Sequence, residues 1–241
     1  VCSSDLETFQ KYGADYVRVY MLGSPAVKAD TLNFNEQDVE KTKQRIIPYI
    51  NAVKFMLEHI IHMESEYHKF NHDAYKTTSN MMDKWIISRT GTLLKSVKQN
   101  MDSYKIDSAV YEIINFVDDL TNWYVKFNRD RMKGHLGKDE QQTSLSTLNH
   151  VLYNYNIIIA PFTPFLSEHL YTYLSQLQPY EKQTSIFKCE YPKDTDFINE
   201  YEVEERMKLL QKIAGMVRTM RSQERQFSDR KSTRLNSSHT D

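Results

Sequence analysis

The scarcity of chain-breaking residues constrains the fold of this chain more than any other feature of its sequence. Only 6 glycines and 6 prolines are spread over 241 residues. An all-β chain needs a turn roughly every 8–12 residues, and such turns are rich in glycine and proline. Long stretches with apolar residues at three- and four-residue spacing instead predict an all-α protein, with antiparallel helices packed as a bundle.

Two long helices are predicted in the first hundred residues. Asn35 is the expected N-cap of the first, because acidic residues that suit the positive end of a helix follow it. Pro48 lies inside this helix and is expected to kink it. A polar loop at 64–80 separates it from the second helix, which starts at Asn80 or Asp83. The predicted core stripes contain Ile46, Ile50, Val53, Leu57, Ile60 and Ile61 in the first helix, and Trp85, Ile86, Leu93, Leu94 and Val97 in the second.

A third long helix is predicted to run without interruption until Gly134 and Gly137 end it. A fourth helix is expected over about 143–159, and Thr163, as N-cap before Pro164, is expected to start a fifth. The core stripe of the third helix is predicted to contain Val110, Ile113, Ile114, Val117, Leu120, Tyr124 and Phe127.

The two flanking regions are predicted with less regular structure. Residues 7–35 are expected to form a helix, broken at Ser24-Pro25, and then an extended piece. Residues 178–200 are expected to be a loop with a short strand from Ser185 to Lys188. A last helix over about 201–225 has a predicted stripe of Val203, Met207, Leu210, Ile213, Ala214 and Val217.

Composition excludes several classes of protein. The net charge of −1 does not suit a DNA-coating protein, which is usually strongly basic. The 2 cysteines form no CxxC pair, so a disulfide framework is not expected and a reducing cytoplasm fits. No apolar run reaches the roughly 18 residues that a membrane span requires, and no signal peptide is expected.

Both ends of the chain look foreign to the rest. Residues 1–6 and 229–241 resemble translated sequencing adapters, so we expect them to be artefacts and leave them out of the fold prediction. Without them, Cys189 is the only cysteine.

Four segments resemble the class I aminoacyl-tRNA synthetases of the isoleucine type, particularly the eukaryotic cytosolic form. The most specific is the run from Leu120 to Arg131, with Asn122-Trp123-Tyr124 at its centre. The others are Gly13-Ala14-Asp15 with Arg18, the run from Asp83 to Ser88, and the run from Ala160 to Glu168. They occur in the family's order and cover almost all of 7–228.

The resemblance implies a division of the chain. Residues 7–35 would be the end of a Rossmann-type catalytic domain. Residues 36–177 would be the helical anticodon-binding domain, and 178–228 a linker with the start of a junction helix. The family's HIGH and KMSKS motifs and its editing domain are absent from the sequence. The resemblance therefore implies an ATP- and Mg-dependent ligase whose active site lies outside this chain, which we expect to be inactive and cofactor-free by itself.

Two groups of basic residues are candidate tRNA contacts. In the segment 121–138, the predicted contacts are Lys126, Arg129, Arg131 and Lys133, whose charges can neutralise phosphates. Trp123, Tyr124 and Phe127 lie between them and could stack on unpaired bases, although core packing is the favoured interpretation for Tyr124 and Phe127. The second group, on the last helix, is Arg218, Arg221 and Arg225, which equally fit a structural role at the negative end of a helix.

Other patterns predict no chemistry. His59, His62, His68 and His72 have spacings that permit metal ligation, but no cysteine accompanies them and no metal site is expected. Ser167-Glu168-His169 are only neighbours in sequence, which does not make a catalytic triad. A valine- or leucine-type synthetase and a free-standing helical RNA-binding or scaffold module are the alternative interpretations.

Overall fold

The computed structural model describes residues 3–66, 69–179, 182–197 and 199–237, with the side chains of 6–66, 69–179, 182–197 and 199–221. It separates into two compact units, Val1–Asn199 and Glu200–Asp241. Every regular element in these ranges is helical, so the all-α prediction is confirmed. None of the described helices is both long enough and apolar enough to cross a membrane.

The first unit is built from eight consecutive α-helices and a π-helical segment. The helices are α1 (Ser3–Tyr12), α2 (Ala14–Leu22), α3 (Glu36–Ser65), α4 (Met81–Asp102), α5 (Ile106–Asp118), α6 (Arg129–Met132), α7 (Lys138–Ile159) and α8 (Pro164–Leu174). The π-helical segment Asp119–Val125 follows α5 directly, and 3₁₀ turns lie at Pro25–Lys28, Ala74–Thr77, Ser175–Leu177, Ile186–Lys188 and Asp194–Asp196. The second unit is α9 (Tyr201–Ser237).

The two predicted asparagine caps are confirmed. The Asn35 side chain accepts a hydrogen bond from Gln37 N at 3.0 Å, and the Asn80 side chain accepts one from Met82 N at 2.8 Å. Each cap satisfies a backbone N–H that has no partner within the helix, which is why the helices begin where they do. Gly134, at φ +81°, follows the C-cap of α6 and ends that helix as predicted, whereas Gly137, at φ +101°, is the N-cap residue of α7.

The core of the first unit lies between α3, α4, α5 and α7. Tyr155 packs edge-on against Tyr49, with ring centroids 4.9 Å apart, and stacks on Phe116 at 5.0 Å. The tyrosine hydroxyls are not left unsatisfied: that of Tyr49 donates to Asn156 Oδ1 at 2.9 Å, and that of Tyr155 to the Ile113 carbonyl at 3.1 Å. All five residues of the α4 stripe are buried as predicted.

Several predicted boundaries and positions are wrong. Residues 7–35 contain two helices rather than one, because Gly13, at φ +92°, interrupts the helix between α1 and α2. Ile61 is 66% exposed, since the buried stripe of α3 continues through Met56, Ile60 and Met63 instead. Helix α7 begins at Lys138, five residues before the predicted start.

The predicted strand at Ser185–Lys188 is also wrong. This segment is a 3₁₀ turn, in which the Ser185 side chain accepts from Phe187 N at 3.3 Å. Glu168 Oε2 accepts from Ile186 N at 2.9 Å and from the Ser185 hydroxyl at 3.0 Å. The backbone donor that a strand would use is therefore engaged by a side chain of α8.

The stripe of the last helix is confirmed only at its start. Val203 and Met207 are buried, whereas Leu210, Ile213 and Val217 are exposed among the residues that the structure describes. Helical spacing identifies an apolar face, but spacing alone does not identify the element that covers that face.

Candidate nucleic-acid interface

The first half of the most specific sequence motif lies in the π-helical segment, and this changes which side chains reach the surface. A π-helix takes more residues per turn than an α-helix, so the buried line moves from Leu120 and Tyr124 to Asn128 and Arg131. Phe127, expected in the core, is 62% exposed, and that prediction is wrong. Tyr124 is fully buried, as predicted.

Phe127 and Trp123 form an aromatic pair at the surface. Their rings stack with centroids 5.6 Å apart and an interplanar angle of 27°. Trp123 is half-buried, which fixes one ring of the pair, while Phe127 presents the other ring to solvent. A flat, anchored aromatic surface of this kind can stack on an unpaired base.

Three predicted cations lie beside this aromatic pair in the chain. Lys126, Arg129 and Lys133 are all exposed, and no ion pair within the described ranges involves any of them. The Arg129 guanidinium lies over the ring of Phe55 on α3, 5.3 Å from its centroid, in a cation–π contact. We call Trp123, Lys126, Phe127, Arg129 and Lys133 the basic-aromatic face.

Arg131 has a different environment from its neighbours. It is 6% exposed, and its Nη1 and Nη2 donate to the two carboxylate oxygens of Asp83 at 3.0 and 2.9 Å. Its Nε donates to Glu140 Oε2 at 2.6 Å, and the Tyr124 hydroxyl donates to Asp83 Oδ1 at 2.7 Å. Burial opposes the charge, but the hydrogen bond and charge of Asp83 outweigh it and raise the pKa of Arg131. This placement does not fit the predicted tRNA contact, so Arg131 is left out of the basic-aromatic face.

The chain matches the family described as the anticodon-binding domain of tRNA ligase over residues 83–234. This range contains the whole basic-aromatic face and the Asp83–Arg131 pair. The chain belongs to this family.

Named relatives are isoleucine–tRNA ligases of eukaryotes. The cytoplasmic enzyme of Saccharomyces cerevisiae is 36% identical over 171 residues, which is 70% of this chain and 16% of the relative. That of Arabidopsis thaliana is 40% identical over 170 residues, covering 69% and 14%. That of Caenorhabditis elegans is 33% identical over 216 residues, covering 89% and 19%. The chain thus spans less than a quarter of the length of these relatives.

A solved structure has a similar fold. The LeuRS of Agrobacterium radiobacter K84, in a ternary complex with tRNA and LeuAMS, superposes with a TM-score of 0.53. The match covers 83% of this chain and 21% of that one at 15% identity, so it supports the helical architecture of this family member and nothing finer.

The second predicted group of cations is on α9. Arg218 and Arg221 are exposed on this helix. The Arg225 side chain lies outside the described residues. At the start of α9, Arg206 pairs with Glu202, and Lys208 pairs with Glu205 at 2.7 Å. These pairs are exposed, so they contribute little to stability.

The histidines and the Ser167-Glu168-His169 run have structural contacts. No group of metal-binding side chains is found in the described part of the chain. His59 contacts the Phe55 carbonyl at 2.8 Å, His62 lies near Glu66, and His68 falls outside the described residues. Glu168 holds the 185–186 turn, and His169 packs edge-on against Tyr173.

Sequence reasoning also missed a set of contacts at the start of α8. The start of α8 is capped by Asp15 of α2, rather than by Thr163, whose side chain makes no cap hydrogen bond. Thr163 occupies the predicted N-cap position, and Pro164 is the first helical residue as predicted. The only signal was that Asp15 and the Ala160–Glu168 run both belong to motifs of the family resemblance.

Proposed function

We propose that this chain is the anticodon-binding region of a cytoplasmic isoleucine–tRNA ligase and that it holds the anticodon stem-loop of isoleucine tRNA. The names of the relatives support isoleucine and the cytoplasm. Membership of the anticodon-binding family supports tRNA as the partner.

One observation carries the location of the interface. Lys126, Arg129 and Lys133 have no acidic partner within the described ranges, and unlike other exposed lysines without one, such as Lys98, they stand in the chain beside the stacked rings of Trp123 and Phe127. Unpaired cations are available to neutralise phosphates, and the adjacent Trp123–Phe127 stack offers a platform for a base. We therefore propose that phosphates of the anticodon loop contact the cations while an unpaired base stacks on Phe127.

The rest of the ligase supplies the chemistry in this proposal. Residues 7–35 are the end of the catalytic domain, 36–177 the anticodon-binding bundle, and 178–228 the linker with the start of a junction helix. ATP and Mg are bound by the part of the ligase outside this chain, and the chain alone binds tRNA without charging it. Arg218, Arg221 and Arg225 are a proposed second contact with the RNA.

The proposal is tested by fluorescence titration of the chain with two RNAs at several salt concentrations. One RNA is the labelled anticodon stem-loop of isoleucine tRNA, and the other is an acceptor-stem minihelix of the same tRNA. We expect the stem-loop to bind more tightly. Three phosphate contacts predict that log K falls with log salt with a slope of about 2 to 3.

Equal binding of the two RNAs, or no binding, would contradict the proposal. Stem-loops of valine and leucine tRNAs extend the test to the alternative ligases, since tighter binding of either would reassign the specificity. A chain that binds no RNA but captures a protein would support the alternative of a scaffold module.

A further inference from the structure

Two side chains of α2 hold the turn between α7 and α8. Asp15 accepts backbone hydrogen bonds from Leu166 N at 2.6 Å, through Oδ2, and from Phe165 N at 3.4 Å, through Oδ1. Arg18 donates to the Pro161 carbonyl oxygen from Nη2 at 3.0 Å and from Nε at 3.3 Å. These partners are 143 to 151 residues apart in the chain. We call this set of contacts the α2–α8 clamp.

The clamp replaces a cap that α8 could have formed locally. Thr163 is at the N-cap position, but its Oγ1 contacts the Ile159 carbonyl at 3.3 Å and the Ser167 hydroxyl at 3.0 Å. The N–H groups at the start of a helix need an acceptor, and a residue at the N-cap usually supplies it. Here the acceptor is a carboxylate of another helix, so the start of α8 is fixed relative to α2.

Burying the Asp15 carboxylate has a desolvation cost that a neutral local cap, such as the Thr163 hydroxyl, would avoid. Asp15 is 7% exposed, and burial raises the pKa of its carboxyl group, against the two backbone hydrogen bonds that lower it. Gly13, at φ +92°, is the N-cap residue of α2, two residues before Asp15. Arg18 is exposed and adds a second connection to the same turn.

We infer that Asp15 and Arg18 are positioning residues for tRNA charging, an inference that rests on the proposed function. The clamp joins α2, in the segment proposed as the end of the catalytic domain, to α8 of the anticodon-binding bundle. Together with the packing of α2 against α3 and α5, it therefore helps to fix the direction in which the bundle presents a bound tRNA to the catalytic part. Small errors in the placement of a reacting group lower rates strongly, by up to about a hundredfold for 1 Å.

The test uses the intact ligase that contains this segment. Asp15→Ala removes the remote acceptor, and Arg18→Met removes the exposed half of the clamp. The double variant Asp15→Ala with Thr163→Asp places a local carboxylate before α8, where it can accept from the same two N–H groups without the connection to α2. Lys41→Met is the matched control, because Lys41 forms an exposed ion pair with Asp38, 2.8 Å away, and both residues lie within α3.

Three quantities separate positioning from simple stabilisation: the unfolding midpoint, isoleucine-dependent pyrophosphate exchange, and kcat for tRNA charging. We expect Asp15→Ala to lower the midpoint and the double variant to restore it. We expect charging by Asp15→Ala, Arg18→Met and the double variant to fall about tenfold or more. Pyrophosphate exchange and the affinity for tRNA should stay within about twofold of the wild type in these variants. Lys41→Met should leave the exchange, the affinity, kcat and the unfolding midpoint close to their wild-type values.

Recovery of charging together with stability in the double variant would show that Asp15 is only a helix cap, and it would overturn the inference. Unchanged charging in both Asp15→Ala and Arg18→Met would do the same, as would a parallel loss of pyrophosphate exchange. The proposed function is judged separately, by stem-loop binding to the wild-type chain, so its failure is distinguishable from that of the clamp.

Discussion

At the scale of single residues, Arg131 shows that a basic motif does not determine which of its cations are exposed and which are buried. Lys126, Arg129, Arg131 and Lys133 are similar in sequence, yet only Arg131 is buried, because the chain brings the carboxylate of Asp83 to it from 48 residues away. Residue type predicts that a charge must be solvated, paired or bound to a ligand. It does not predict which of these applies, since that depends on a partner that is distant in sequence.

The Asp83–Arg131 pair gives a prediction about stability. Arg131→Met leaves the Asp83 carboxylate buried without its cation, so we expect a loss of about 3–5 kcal/mol in the free energy of unfolding. Adding Asp83→Leu removes the unpaired charge and should recover a large part of that loss. Lys126→Met, at an exposed position, should change stability by less than about 0.5 kcal/mol. Urea denaturation measures all three, and a cost below about 1 kcal/mol for Arg131→Met would contradict the structural role of the pair.

At the scale of elements, the caps were predictable and the π-helical segment was not. Asn35 and Asn80 act locally, so their effect can be predicted from the few residues next to them in the helix. The predicted core stripe assumed 3.6 residues per turn throughout, and it is correct from Val110 to Tyr124. It fails at Phe127, because the π-helical turns shift the register of the residues beyond them. The error lies in the proposed interface. This agrees with the general observation that π-helical turns are frequent at functional sites.

The π-helical register predicts opposite effects for two apolar residues that the sequence assigned to one stripe. Leu120→Ala removes a fully buried side chain and should cost about 2–5 kcal/mol of stability. Phe127→Ala removes an exposed ring and should cost less than about 1 kcal/mol. If a base stacks on Phe127, its loss should weaken stem-loop binding by about 1–3 kcal/mol. Thermal melts and titrations of both variants check this, and a large stability loss in Phe127→Ala would show that the ring is part of the core.

At the scale of the whole molecule, the four resemblance motifs form two pairs in space. Asp83, at the start of one motif, binds Arg131, at the end of another. Asp15 and Arg18 bind the turn that opens the Ala160–Glu168 run. The helical class could be predicted from the small number of glycines and prolines and from the helical spacing of apolar residues. The order of the motifs indicated the family. Their pairing could not, because contacts between segments so far apart depend on the packing of the helices between them.

The central claim is that this fold presents the basic-aromatic face to the anticodon loop. The most direct test is titration of the labelled isoleucine stem-loop with a variant carrying Lys126→Gln, Arg129→Gln and Lys133→Gln. The matched control carries Lys98→Gln, Lys105→Gln and Lys188→Gln, which change the net charge equally at exposed positions on other elements.

We predict that the face variant melts like the wild type and binds at least about tenfold more weakly. Its salt slope should be smaller by about 2 to 3, since each phosphate contact removed takes away about 0.7 to 0.9. The control should keep most of the affinity and most of the slope. Wild-type affinity and slope in the face variant, or an equal loss in the control, would contradict the account.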